Sequence, residues 1–296
     1  MPPTWLGWCM ERLHGFFRLM RLERAASAVA GVVITGVAVR DLTAFHWSYV
    51  VACLAVFFSA LANFALNDYR DIEIDRLNNR LDRPLVNGVI GLHIAVRVVL
   101  ASSLLAYALA LWMRPIPGAM IIVGLPVSLA YNLYLKKRLV FKNLFTGLAN
   151  VGVILLGTLV VDKVVEPLAV YLAVVVFFFS LSYEVMLDIA DVQGDAAMGV
   201  ETVASRFGGR KAAWLSILIG LGAVFADPLP FFIHVDSRLF RDYLFLLLIL
   251  VPVLNRLRIS VALLRDQSPE NIRHLKKGLF RNLQLGGLCY LIGILL

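Results

Sequence analysis

The sequence predicts an all-α integral membrane bundle of nine transmembrane helices, and three observations predict it. Of the 296 residues, 60% are hydrophobic and only 16% charged, whereas a soluble domain is about half apolar and about a quarter charged. The apolar residues come in blocks of roughly 20, the length a helix needs to cross a hydrocarbon core of about 30 Å. The basic residues between those blocks fall almost entirely on one side of the membrane.

In chain order, residues 4–20 interleave Trp5, Trp8, Leu13, Phe16, Phe17 and Met20 with Glu11, Arg12, His14 and Arg18. That mixture predicts an amphipathic helix in the membrane interface over residues 1–20, not a cleaved secretion signal. Apolar blocks follow near 22–39, 47–66, 93–113, 117–135, 143–161, 167–187, 211–233, 240–255 and 281–296. Pro228 and Pro230 interrupt the seventh, and the ninth has a polar edge.

With the N-terminus inside, 22 of the 28 Lys and Arg residues lie in cytoplasmic segments, seven of them between Arg256 and Arg281. Arg40, Arg114, Lys163, Arg238 and Arg241 lie outside, and Arg97 lies within a span. This asymmetry predicts a multi-pass cell-membrane protein with a cytoplasmic N-terminus. The same rule accounts for the net charge of +8 without nucleic acid. Cys9, Cys53 and Cys289 are far apart, and the five histidines have no ligand spacing, so neither a disulfide nor a zinc site is implied. No soluble domain is visible, and nothing in the sequence sets the oligomeric state.

Two polar segments carry the chemistry. The first runs Asn67-Asp68-Tyr69-Arg70-Asp71-Ile72-Glu73-Ile74-Asp75, and the second Asp188-Ile189-Ala190-Asp191-Val192-Gln193-Gly194-Asp195. Both set aspartates at i, i+3 and i+7, which share one helix face. Four predicted spans separate them, so both emerge on the cytoplasmic side, as in an internal pseudo-repeat. Crowded carboxylates repel unless a cation intervenes. Magnesium favours oxygen ligands and takes one or two carboxylates plus substrate phosphates. Two such clusters suit two or more Mg²⁺ ions around one diphosphate, whose departure the metal assists. A single acidic run after a helix is commonly a solvated loop; the repeated spacing argues against that here. A divalent-cation transporter is the alternative class, although its carboxylates are expected deeper in the spans.

These residues resemble the UbiA superfamily of intramembrane prenyltransferases. Asn67-Asp68-x-x-Asp71-x-x-x-Asp75 with Asp82-Arg83-Pro84 and Gly88 is similar to the first signature. Asp188-x-x-Asp191-x-x-Gly194-Asp195 with Gly199 and Thr202 is similar to the second. Tyr131-Asn132-Leu133-Tyr134-Leu135-Lys136 followed by Asn143 resembles the tyrosine–lysine stretch of the fourth helix. The likeness runs from about Arg21 to Lys211. It implies a single prenyltransferase domain over 21–296, with pseudo-repeats at about 21–138 and 143–258 plus a ninth helix. The helices would surround a central cavity, and cytoplasmic caps would carry the two motifs.

The resemblance also implies roles. Asn67, Asp68, Asp71 and Asp75 would form one metal group and Asp188, Asp191 and Asp195 the other, with Asp71, Asp75, Asp191 and Asp195 as the catalytic set. Lys136 and Arg83, with Arg80 and Arg21, would hold the diphosphate, so Lys136 should matter more than Lys137 or Lys142. Asn63, Phe64, Tyr131 and Tyr134 would line the cavity or shelter positive charge, though ordinary packing explains any one aromatic. The chain departs from the family at Arg24, where an asparagine is usual, at Tyr183, where arginine is common, and at Leu187, where lysine is frequent. The implied reaction moves a polyprenyl group such as geranylgeranyl from its diphosphate through an allylic carbocation-like state. The acceptor is a lipid such as a geranylgeranylglyceryl phosphate, or alternatively an aromatic quinone precursor.

Overall fold

The computed structural model describes residues 5–135, 141–161 and 164–296, and among these only helices and their connections occur. The helices are α1 (Trp5–Met20), α2 (Leu22–Ala38), α3 (Trp47–Arg70), α4 (Ile72–Leu77), α5 (Leu92–Ala110), α6 (Pro115–Ala130) and α7 (Phe141–Gly157). They continue as α8 (Pro167–Ala190), α9 (Val192–Ala197), α10 (Val203–Phe207), α11 (Gly209–Ala226), α12 (Leu229–Phe232), α13 (Tyr243–Arg265) and α14 (Pro269–Leu295). A π-helical turn, Tyr131–Leu135, extends α6.

Helix ends follow local chemistry. Pro167 and Pro269 open α8 and α14, where a missing N–H costs nothing. The Ser268 hydroxyl accepts from the Asn271 amide, and the Asp242 carboxylate accepts from the Leu244 amide. Thr202 and Ser205 close a reciprocal capping box on α10.

Among the described residues, seven helices are long and apolar enough to cross a membrane: Trp47–Arg70, Leu92–Ala110, Pro115–Tyr134, Pro167–Ala190, Gly209–Phe232, Tyr243–Arg265 and Pro269–Leu295. The chain thus has the build of a multi-pass membrane protein. The expectation of nine is seven by this measure, because α2 and α7 stop at 17 residues, about 25 Å of helix. The last two spans also shift. α13 runs on to Arg265 and α14 begins at Pro269, so Arg256, Arg258, Arg273, Lys276, Lys277 and Arg281 lie within helices. The basic loop expected between Arg256 and Arg281 shrinks to three residues, and Arg256 is buried. Hydropathy alone cannot extend a helix through charged turns that tertiary packing then supports.

The chain divides into two compact units. The first holds α1, α2 as far as Ala30, and α3 through the π-helical turn; its core gathers Leu19, Ala65, Leu85, Ile90 and Ala95. Fully buried Ala52, Ala55 and Ala62 give α3 a small-residue face, the device membrane helices use to pack closely. The second unit holds the rest of α2 and α7 through α14. There a Cβ on Gly157 would lie 2.7 Å from the Val32 carbonyl oxygen, so α2 and α7 touch backbone to backbone. Leu100, Leu104, Leu247 and Leu254 stay outward on their helices, as suits a lipid-facing surface.

One motif occurs in each unit. α3 and α8 are both 24 residues long, and each ends at an aspartate with nearly the same backbone: Asp71 at φ −94°, ψ 4° and Asp191 at φ −104°, ψ 8°. A six-residue helix follows each. Left-handed residues then recur at equal intervals, Asn79 with Gly199 and Gly88 with Gly208. Each pair is separated by 120 residues (199 − 79 and 208 − 88), the same offset as Asp68 to Asp188.

Candidate active site

The kink at Asp71 turns the first acidic segment into two short helical faces that meet. Asp68, in the last turn of α3, and Asp75, on α4, are both buried at 2–3% exposure. Buried carboxylates need counter-charges, and three arginines supply them. Asp68 Oδ1 accepts from Arg21 and, at 2.6 Å, from Arg83 Nη1. Arg83 Nε lies 3.5 Å from Asp75 Oδ2, and Arg80 Nη1 lies 3.1 Å from Asp75 Oδ1. Burial pushes the Asp75 carboxyl above the usual carboxylate range, against the pull of Arg83 and Arg80. Burial also works against the charge on Arg83, yet Asp68 and Asp75 outweigh it and hold the guanidinium above its ordinary value.

Amides flank this cluster. Asn67 Nδ2 donates to Asn132 Oδ1 at 3.2 Å, and Asn63 Oδ1 accepts from Ser128 Oγ at 2.6 Å and from Asn132 Nδ2 at 3.4 Å. The Arg21 guanidinium lies 5.4 Å from the centre of the Phe64 ring. Tyr131 is buried in the π-helical turn, but Tyr134 is 76% exposed and does not join it. A one-residue widening of the helix rotates the two tyrosines to different sides.

The second acidic segment, in the other unit, is built alike, with a lysine in place of arginines. Lys142, in the first turn of α7, places Nζ 2.7 Å from Asp188 Oδ1 and 3.3 Å from Asp195 Oδ2. Asn143 Nδ2 donates to Asp188 Oδ2 at 2.8 Å. Asp188 and Asp195 are 1% and 3% exposed. Burial pushes the Asp195 carboxyl up to about 6, with Lys142 opposing the shift and Asp188 and Asp191 adding to it.

The structure brings Arg21, Arg80 and Arg83, which the sequence reading assigned to the diphosphate, to the first aspartates. Lys136 lies outside the described residues. Lys142 and Asn143 are cluster members that sequence reasoning undervalued. The available signal was positional, since Lys142 opens the helix before α8 much as Arg21 precedes α2. Tyr183 and Leu187, where the family has cations, instead pack into the apolar core of the second unit, Tyr183 stacking on Phe179.

The donor set fits magnesium. Each cluster keeps a buried acceptor oxygen with no hydrogen-bond donor, Asp68 Oδ2 in one and Asn143 Oδ1 in the other. Such oxygens are costly unless a cation or donor arrives. Among the described residues no three carboxylate, histidine or cysteine side chains converge into a complete cage. That suits an ion that completes its shell with water and substrate phosphate.

Comparison with known proteins agrees. The sequence model of the UbiA prenyltransferase family matches residues 27–283. The digeranylgeranylglyceryl phosphate synthase of Archaeoglobus fulgidus is 30% identical over 270 residues, covering 90% of each chain. A solved structure concerned with digeranylgeranylglyceryl phosphate synthase in membranes superposes with a TM-score of 0.69 at 24% identity, covering 96% of this chain and 99% of that one. A UbiA homologue from Archaeoglobus fulgidus bound to DMAPP and Mg²⁺ superposes with a TM-score of 0.64 at 18% identity, covering 92% and 98%. The signatures, the helical architecture and the length of the match together make this chain a prenyltransferase, a member of the UbiA family.

Proposed function

We propose that the enzyme is a Mg²⁺-dependent digeranylgeranylglyceryl phosphate synthase, moving a geranylgeranyl group from its diphosphate to a geranylgeranylglyceryl phosphate. The observation that carries the reading is the pair of kinked aspartate segments, each neutralised by basic side chains at the end of a long apolar helix. The relatives named for that reaction and the homologue holding Mg²⁺ with DMAPP support the choice.

In this reading Asp71 and Asp75, with Asn67 and the free oxygen of Asp68, hold one metal group, and Asp191 and Asp195, with Asp188, hold the other. The metal supplies positive charge to the departing diphosphate. Arg83, Arg80 and Arg21 are drawn in by the aspartates and present further N–H donors to phosphate oxygens; Lys136 is assigned to the same task. Apolar helices keep water from the reactive carbon, and the Phe64 ring beside Arg21 offers a face to positive charge. The acceptor hydroxyl oxygen forms the new bond to the allylic carbon as the diphosphate oxygen leaves, and its proton passes to solvent or diphosphate. α2 and α7 complete nine crossings, α1 lies in the interface, and the N-terminus and both aspartate segments are cytoplasmic.

The test is direct. Purified protein, geranylgeranyl diphosphate and a panel of acceptors are incubated with Mg²⁺, and products are identified by mass. The synthase reading expects digeranylgeranylglyceryl phosphate and stoichiometric diphosphate; prenylation of aromatic acids alone would replace it.

A further inference from the structure

The two aspartate sets meet different kinds of cation. In the first, Asp68 and Asp75 are paired with the guanidinium groups of Arg21, Arg80 and Arg83. In the second, the Lys142 ammonium lies between Asp188 and Asp195, and Glu184 adds a further negative field at that ammonium. Lys142 bridges two aspartates seven residues apart, across the kink that separates α8 from α9. An arginine fork is pre-organised for the carboxylate it grips, whereas a lysine is a compact charge on a flexible stem and changes partners more easily.

We propose that Lys142 is a resident counter-cation of the second aspartate set. It holds Asp188 and Asp195 together before a divalent ion arrives and weakens their affinity for that ion. The inference rests on the metal-dependent reading above and adds a residue that sets ion affinity. When the ion binds, the ammonium is repelled from the carboxylates and becomes a donor for phosphate oxygens. Lys142 is thus a positioning residue, and it should delay full metal loading until diphosphate shares the charge.

The full chain, purified and free of prenyl diphosphate, is titrated with Mn²⁺ and the free ion is followed by electron paramagnetic resonance. Lys142→Met keeps the stem and removes the charge, so it should bind Mn²⁺ about tenfold more tightly or better, since a like charge within ~4 Å is removed. Lys142→Arg should stay near wild type. Asp195→Asn should weaken binding in either background. If Lys142→Met does not fold, Lys142→Gln carries the same expectation. A lysine that only props up the fold predicts the opposite sign, because disordered aspartates bind an ion less well. Equal or weaker Mn²⁺ binding by the Lys142 variants, with Asp195→Asn still impaired, overturns this inference alone. Undetectable Mn²⁺ binding in every variant overturns it together with the metal reading.

Discussion

Arg83 offers the sharpest test of how the first cluster is held together. Its guanidinium spans two buried carboxylates, 2.6 Å from Asp68 Oδ1 and 3.5 Å from Asp75 Oδ2, with the arginine side chain only 13% exposed. Removing one partner of a buried ion pair costs about 3–5 kcal/mol when the other is left bare. Here neither is left bare, since Asp68 keeps Arg21 and Asp75 keeps Arg80. We therefore expect Arg83→Gln to destabilise the metal-free protein by about 2–3 kcal/mol, a fall in Tm of roughly 3–5 °C for a chain of this size. The comparison variant is Arg76→Gln. Its pair with Glu73 is more than half exposed on both sides, so the change should stay below about 0.5 kcal/mol. Thermal unfolding in detergent, with and without saturating Mg²⁺, reads both. A divalent ion replaces the missing charge, so Mg²⁺ should close most of the stability gap of Arg83→Gln, while prenyl-diphosphate affinity stays impaired. If the two variants melted alike, or if Mg²⁺ left the gap untouched, the cluster would not be the charge-balanced unit described here.

Other outcomes follow from the same geometry. Under the proposed function, Asp71→Asn and Asp195→Asn should each lose most turnover and need more Mg²⁺, and the double variant should lose less than the product of the two, as expected of residues that serve one reaction together. Glu73→Gln, on an exposed side chain paired with Arg76, should stay near wild type. Because the Asp195 carboxyl titrates near 6 when folded and 3.8 is its ordinary value, the folded metal-free chain holds a proton that the unfolded chain releases between those values. That group favours folding below pH 3.8, and the advantage is lost as pH rises through about 6. Mg²⁺ needs the ionised form, so its affinity should climb over the same window with proton release. Calorimetry at pH 5.5 in two buffers of different ionisation enthalpy measures that release, and it should vanish in Asp195→Asn. Gly157→Ala forces a methyl against the Val32 carbonyl oxygen and should cost about 1–3 kcal/mol, read as a lower Tm.

How much of this was legible beforehand depended on the kind of physics involved. The membrane class and the pairing of Asp68-x-x-Asp71-x-x-x-Asp75 with Asp188-x-x-Asp191-x-x-x-Asp195 were readable directly, because hydropathy and helical spacing are local properties of the chain. Arg21, Arg80 and Arg83 were found through family resemblance, and the fold then gave each a carboxylate. Span lengths were read less well. Whether a charged turn such as Arg273–Arg281 stays helical depends on what packs beside it, and α2 and α7 proved shorter than their apolar blocks. Lys142 was misjudged for the same reason. In sequence it is one of several lysines and arginines near a helix start, 46 residues from Asp188. Only the packing of α7 in its unit puts its ammonium between two buried aspartates. The sequence by itself determined the membrane setting, the helical periods and the spacing of the carboxylates, all set within a few turns of chain. The tertiary structure alone decided which cation answers which carboxylate, because that depends on burial and on helices far apart in sequence being folded together.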